Sequence, residues 1–273
     1  MAGIPFGKAS ACGNDFLLVN VADVPAGIDL KELTRRMCDR YEGVGADGTE
    51  YLSADVVPTT GAAAGVVPAD IRARLINADG SDAEVSGNGT RCVAAHLVST
   101  TGKQTVTVRT DAGVKTCKLI QKKGSVLEFE AAMGAPEVGE EFGVKLTFGE
   151  ARGTPVSMGN PHFVMFVDKF AVGWQAEGAE ISKHHDFLHG TNVEFVNVKN
   201  EHNIAVRFFE RGAGETKSSG TGSCASAVAS IYSGRVKSPV TIHTEGGLQT
   251  VRWDGEVYLT GPAMLVCKGE YYF

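Results

Sequence analysis

Short apolar runs separated by glycine-rich polar segments recur along the chain and predict many short strands with few helices. Asp15-Phe-Leu-Leu-Val-Asn20 reads as a strand. Residues 29–41 carry helical spacing, with Leu30, Leu33, Met37 and Cys38 on one face. Residues 54–69, rich in Ala, Val, Gly and Pro, offer turn residues and few large side chains, which predicts a hairpin excursion with a mobile tip. Strand-like Arg72-Ala-Arg-Leu-Ile-Asn77 enters a polar loop, residues 92–100 suit a helix, and strand patterns return at 105–109, 116–120 and 126–130. The second half repeats this order. It has a strand at 162–167, a helical patch near 173–186, strands at 191–196 and 205–209, a helix at 224–233, and strands at 240–243, 248–251 and 256–259.

Two loops are near copies of each other. Asn77-Ala-Asp-Gly-Ser81 followed by Ser86-Gly87-Asn88-Gly89-Thr90-Arg91 matches Glu210-Arg-Gly-Ala-Gly-Glu-Thr216 followed by Ser219-Gly220-Thr221-Gly222-Ser223. Each runs into a small apolar stretch that begins at Cys92 or Cys224. Glycine lets backbone approach a ligand, and a helix starting there points unpaired N–H groups and its positive dipole end at an anion. Two Gly-Asn loops, at Gly13-Asn14 and Gly159-Asn160, precede them in the same order about half a chain apart, the mark of an internal duplication. The expectation is two similar α+β halves that face each other around a small ligand.

Composition narrows the class without naming it. The 273 residues suffice for two ordinary domains, and 43% hydrophobic with 21% charged residues fits a globular chain. A net charge of −6, with no basic run longer than Lys122-Lys123, argues against nucleic acid or an anionic membrane as partner. The first residues lack an apolar signal core and no stretch approaches a membrane span, so a cytoplasmic setting is expected. The six cysteines form no CxxC pair and no zinc-spaced cluster, so no metal site is expected. All six read as buried thiols.

Seven motifs in order make the chain similar to the diaminopimelate epimerase family over essentially its full length. They are Gly13-Asn14-Asp15-Phe16, Gly43-Val-Gly-Ala-Asp-Gly48, the first duplicated loop, Gly159-Asn-Pro-His162, Thr191-Asn-Val-Glu-Phe195, the second duplicated loop, and Leu259-Thr-Gly-Pro-Ala263. The resemblance implies cofactor-independent inversion of one α-carbon of diaminopimelate, in lysine and cell-wall precursor synthesis, by a homodimer. It implies an α+β fold of two pseudo-symmetric domains, each a mainly antiparallel sheet wrapped around a central helix. Residues 1–128 would form the first half and 129–263 the second, with 264–273 returning to the first. Asn14, Asn77, Asn160 and Asn192 match residues that hold the two ends of the substrate, Arg211 the residue that grips its distal carboxylate, and His162 and Glu210 residues beside the reacting centre. Gly87, Asn88, Gly220 and Thr221 would offer backbone N–H groups to the reacting carboxylate, where charge builds during deprotonation. An isolated Gly-Asn is ordinary turn chemistry; four asparagines in matching register are not. Arg211 has a plainer alternative as a surface residue paired with Glu210 or Glu215, and Glu215 suits the local helix start.

One departure outweighs the matches. The family carries a cysteine before each Gly-x-Gly, one removing the α-proton and the other returning a proton on the opposite face; this chain carries Ser86 and Ser219. Cys92 and Cys224, six and five residues downstream, are out of register for the role. A thiol with a pKa of about 8.5 serves as acid or base at modest cost. A serine hydroxyl needs a strong adjacent base, and His162 or Glu210 are the candidates. Three readings stay open on sequence: engineered replacement of reactive cysteines, native serines in a dehydratase or epimerase for another amino or imino acid, or a scaffold kept for binding alone.

Overall fold

A computed structural model describes residues 3–56, 68–147 and 149–272; most of the expected excursion after residue 54 lies outside the described residues. The chain divides into two compact units, Met1–Ala131 with Pro262–Phe273, and Ala132–Gly261.

Unit 1 opens with β1 (Gly3–Ala11) and β2 (Asn14–Asn20). Cys12 (φ 48°) and Gly13 (φ 85°) both take the left-handed conformation that a two-residue hairpin needs, and this turn delivers Asn14. A 3₁₀ turn (Val21–Asp23) leads to α1 (Leu30–Cys38), capped by Asp29 and burying Leu33, Met37 and Cys38. There follow β3 (Gly48–Ser53), β4 (Ile71–Asn77), β5 (Asp82–Ala83), α2 (Gly87–Thr101), β6 (Thr105–Thr110), β7 (Gly113–Lys123) and β8 (Val126–Gly134). Pairing is mostly antiparallel, with β2–β3 and β4–β6 parallel. The second helix packs against β1, β2, β4, β6 and β7. Its Cys92, Val93, Ala94 and Ala95 are all fully buried, so the helix is apolar on every side and small enough for strands to approach it closely.

Unit 2 contains β9 (Glu137–Val138), β10 (Phe142–Leu146), β11 (Gly149–Ser157), β12 (Pro161–Phe166), α3 (Trp174–Ser182), β13 (Asn192–Asn200), β14 (Asn203–Glu210), β15 (Gly214–Thr216), α4 (Gly220–Tyr232), β16 (Val240–Thr244) and β17 (Gly247–Asp254). Here β12–β13 and β14–β16 are the parallel pairs, in the places that β2–β3 and β4–β6 hold in unit 1. The buried α4 packs against β11, β12, β13, β14, β16 and β17. Ser223 Oγ donates to Gln249 Oε1 and Ser230 Oγ to the Ser226 carbonyl, each at 2.6 Å, while the buried Ser226 Oγ has no partner. A second core gathers Phe163, Trp174, Phe195 and Ile181, and each fully buried side chain of this size contributes roughly 1.5–3 kcal/mol. The last strand, β18 (Glu256–Tyr272), pairs with β17 in unit 2 and then with β1 in unit 1, from Ser10↔Met264 to Gly3↔Tyr272.

Three expectations change. Both central helices begin five and four residues before the apolar stretches, at Gly87 and Gly220, because a serine cap and burial of most of the first turn override the poor helix propensity of glycine. Strands β1, β3, β10 and β11 escape the periodicity because Pro5, Glu50, Gly143 and Gly153 interrupt the apolar pattern. Five cysteines are buried, but Cys267 is exposed, since it lies on the outward part of β18.

Candidate functional site

In unit 1 the predicted residues gather where β2 and β3 begin and β4 ends, with Phe16, Gly48 and Asn77 in register across the three strands. Ser86 is the N-cap of α2, with φ −124° and ψ 123°, and its Oγ accepts the Gly89 N–H at 3.0 Å. Asn88 Nδ2 donates to Asn14 Oδ1 at 2.6 Å, Asn14 Nδ2 donates to Asp47 Oδ2 at 3.2 Å, and Arg91 Nη2 donates to Asn88 Oδ1. Arg40 joins Asp47 and Asp15 at 2.7 and 2.8 Å. Burial works against ionisation of Asp15, but Arg40 and Lys8 outweigh it and hold its carboxyl below the usual range. The side chains of Asn14 and Asn88 are thereby committed to one another. Asn77 stands apart from this chain, its Nδ2 donating to Ser81 Oγ at 3.0 Å.

Unit 2 builds the same corner with different side chains. Ser219 caps α4 with φ −130° and ψ 129°, and its Oγ accepts the Gly222 N–H at 3.2 Å. The match in backbone and bond to Ser86 is close. Among the described residues, no protein acceptor takes the backbone N–H of Gly87, Asn88, Gly220 or Thr221, so each helix start has two open donors. Ser219 Oγ also donates to Glu210 Oε2 at 3.1 Å, and Thr216 Oγ1 donates to Glu210 Oε1 at 2.6 Å. Burial raises the Glu210 carboxyl, and these two hydrogen bonds pull against that rise.

His162 does not reach Ser219 with a free nitrogen. Its Nδ1 meets Glu194 Oε1 at 2.7 Å and its Nε2 meets Asn160 Oδ1 at 3.0 Å. Asn160 Nδ2 in turn donates to Thr221 Oγ1 at 3.4 Å. Asn192 Oδ1 accepts the Arg211 backbone N–H at 2.9 Å, and Arg211 Nη1 donates to the His189 carbonyl at 2.9 Å. Arg211 is therefore held by backbone groups and not by Glu210 or Glu215. Glu215 lies on β15 opposite Phe209 and accepts from Gln175 at 3.2 Å, which corrects its expected place at a helix start.

Sequence reasoning gave no role to Glu194 or Glu50. Both sit on interior strands at core positions, 0% and 3% exposed, and burial raises each carboxyl, Glu50 to about 8; His162 opposes the rise at Glu194. A carboxylate inside an apolar strand, as in Val193-Glu-Phe195, was the available signal. Arg91 is likewise fully buried, with Nε and Nη1 unpartnered. Among the described residues, one trio with metal-compatible spacing, His184, His185 and Asp186, lies after α3 and takes no part in either corner. Among the described residues, no helix is long and apolar enough to cross a membrane.

The family model described as diaminopimelate epimerase matches residues 6–138 and 154–266. A diaminopimelate epimerase from Pelotomaculum thermopropionicum is 40% identical over 97% of this chain and 98% of its own length. Another from Moorella thermoacetica is 37% identical with the same coverage. Among solved structures, a probable proline racemase from Agrobacterium radiobacter has a TM-score of 0.73 at 14% identity, covering 98% of this chain and 93% of its own. A predicted epimerase from Pseudomonas aeruginosa has 0.71 at 18%, covering 99% of both. These last two speak for a shared strand-rich fold.

Proposed function

From the premise that the chain belongs to the diaminopimelate epimerase family and is an isomerase of that type, we propose that it acts without pyridoxal phosphate on LL-diaminopimelate, producing the meso form by two-base proton transfer. The single supporting observation is the matched pair of helix starts, each capped by serine in the same backbone conformation and each with two open N–H donors. Those donors suit a carboxylate, and their effect grows as negative charge builds on it during removal of the α-proton. Asn14, Asn77, Asn160, Asn192 and Arg211 are assigned to holding the substrate, Arg211 as a planar fork for a carboxylate.

Serine at both proton-transfer positions slows the reaction. Ser219 retains a workable arrangement, because its hydroxyl already donates to Glu210, which can receive the proton as Ser219 Oγ takes one from carbon. Ser86 has no such carboxylate partner; the corresponding place at the end of β4 is Asn77. A place in lysine synthesis, a homodimeric assembly and a cytoplasmic setting belong to the same proposal, on family membership alone.

The test is chiral analysis of LL-diaminopimelate incubated with this chain and with the Ser86→Cys, Ser219→Cys double variant. The variant is expected to epimerise roughly 10²–10⁴-fold faster, the usual range for a well-matched acid–base group. A double variant with no epimerisation contradicts the assignment. Dehydration of a hydroxylated imino acid by the unsubstituted chain would move it to a different substrate class, and ligand stabilisation without turnover would make it a binding protein.

A further inference from the structure

The segment after α3, residues 183–190, gathers three side chains of metal-ligand type that neither corner uses. His184 Nδ1 lies 3.3 Å from Asp186 Oδ2, and His185 Nε2 lies 3.4 Å from Asp186 Oδ1. One ligand atom from each of the three falls within 4.8 Å of the other two. The spacing of the cysteines said nothing of this trio, which is built from two imidazoles and a carboxylate.

The hydrogen bonds of His184 fix which of its nitrogens carries the proton. Its side chain is 10% exposed, and Nε2 meets the Lys145 carbonyl of β10 at 3.1 Å. A carbonyl only accepts, so Nε2 holds the ring proton. The backbone N–H of Asp186 donates to Nδ1 at 3.3 Å, which requires a lone pair there. That lone pair also stands 3.3 Å from Asp186 Oδ2, and an ionised carboxylate is acceptor-only. Two acceptors at this separation repel unless a cation lies between them, and the backbone N–H is too long a contact to offset much of the repulsion. A histidine that gives one ring N–H to a backbone carbonyl, with its other nitrogen beside a carboxylate, is oriented as a metal ligand.

We propose that His184, His185 and Asp186 form a binding site for one divalent transition-metal ion of the zinc type, with its remaining positions open to water. Two imidazole nitrogens and one carboxylate suit zinc, nickel or copper, whereas magnesium and calcium take oxygen ligands that this trio does not supply in number. With metal–ligand distances of about 2.0–2.2 Å, tetrahedral neighbours stand roughly 3.3–3.6 Å apart. Both nitrogen-to-carboxylate separations already match that spacing, and His185, whose side chain is 84% exposed, has room to turn toward His184. The bound ion braces the segment against β10 through His184. The brace extends along the backbone, because Phe187 N–H bonds to the His184 carbonyl at 3.0 Å and Gly190 N–H to the Phe187 carbonyl at 2.8 Å. Between these two lies the His189 carbonyl, which accepts from Arg211.

The experiment is calorimetric titration of tag-free protein with zinc chloride at neutral pH, with magnesium chloride as the contrast, for this chain and for His184→Ala, His185→Ala and Asp186→Ala. Cys267→Ser is carried in every protein so that the exposed thiol does not compete for the ion. One zinc per chain is expected, no heat with magnesium, and affinity at least tenfold weaker in each variant. His185→Ala removes an exposed side chain, so it keeps the test sound if His184→Ala fails to fold. Absence of zinc binding, or a His185→Ala protein that binds as tightly as this chain, overturns the site; magnesium binding of equal strength overturns the class of ion. Amide exchange at Phe187 and Gly190 should slow severalfold when zinc is bound to this chain and stay unchanged in His185→Ala. Exchange that zinc leaves unaltered in this chain overturns the brace.

Discussion

Ser86 and Ser219 each receive a backbone N–H into their hydroxyl oxygen, at 3.0 and 3.2 Å, so these side chains hold the fold as well as face a ligand. Removing the oxygen leaves an N–H in the first helical turn without its partner. Ser86→Ala and Ser219→Ala are each expected to lower stability by about 1 kcal/mol in urea titrations. No loss in either would show that the caps carry no stability. Glu50 acts in the opposite direction as pH rises. Its folded carboxyl titrates at about 8 against an ordinary 4.5, so between these values the folded chain holds a proton that the unfolded chain has released. The stability associated with this group is whole below about pH 4.5 and falls as pH rises toward 8, by up to roughly 1.4 kcal/mol per unit. Glu50→Gln should therefore match the unsubstituted chain near pH 5 and exceed it by a few kcal/mol at pH 8, measured by denaturant unfolding at both pH values. Equal stability at both contradicts a buried neutral carboxyl.

At the scale of elements, the start of each central helix is set by close contact between a glycine and a strand. Gly222 lies where a methyl would meet Glu194 Oε1 at 2.8 Å and the Phe208 ring at 2.9 Å, inside a core of fully buried side chains. Gly222→Ala is expected to cost about 1–3 kcal/mol by overpacking, read from its unfolding midpoint. The sequence carried the helix and loop pattern at these places because Ser-Gly-x-Gly is a strong local signal. It did not carry the first turn itself, since tertiary burial decides whether glycine is helical. Glu50 and Glu194 stayed unread for a related reason. Strand periodicity identifies a face, and only the packing of Leu18, Leu75 or Phe208 around that face turns a charged residue into a buried one. His162 was legible as a functional residue from its motif, whereas its engagement by Glu194 and Asn160 depends on the parallel pairing of β12 with β13, which no local spacing encodes.

At the scale of the whole molecule, the repeated order of strands around one buried helix was visible as two pairs of similar loops half a chain apart. The return of β18 to β1 was available only through family resemblance, because Met264, Val266 and Tyr272 are exposed and give the strand no clear alternation. Ending the chain at Gly261 removes the β18 partner of β1 from Gly3 to Ser10 and leaves β1 paired only with β2, at Gly7–Ala11. Amide exchange protection from Gly3 to Phe6 should then collapse while that of α4 persists; loss of both together would show that the two units unfold as one. The central claim is that the serine-capped helix starts bind the carboxylate of an amino-acid ligand. The most direct measurement is an NMR titration of the backbone amides of Gly87, Asn88, Gly220 and Thr221 with diaminopimelate. Saturable shifts at these amides are predicted, and no response at either helix start would contradict the claim.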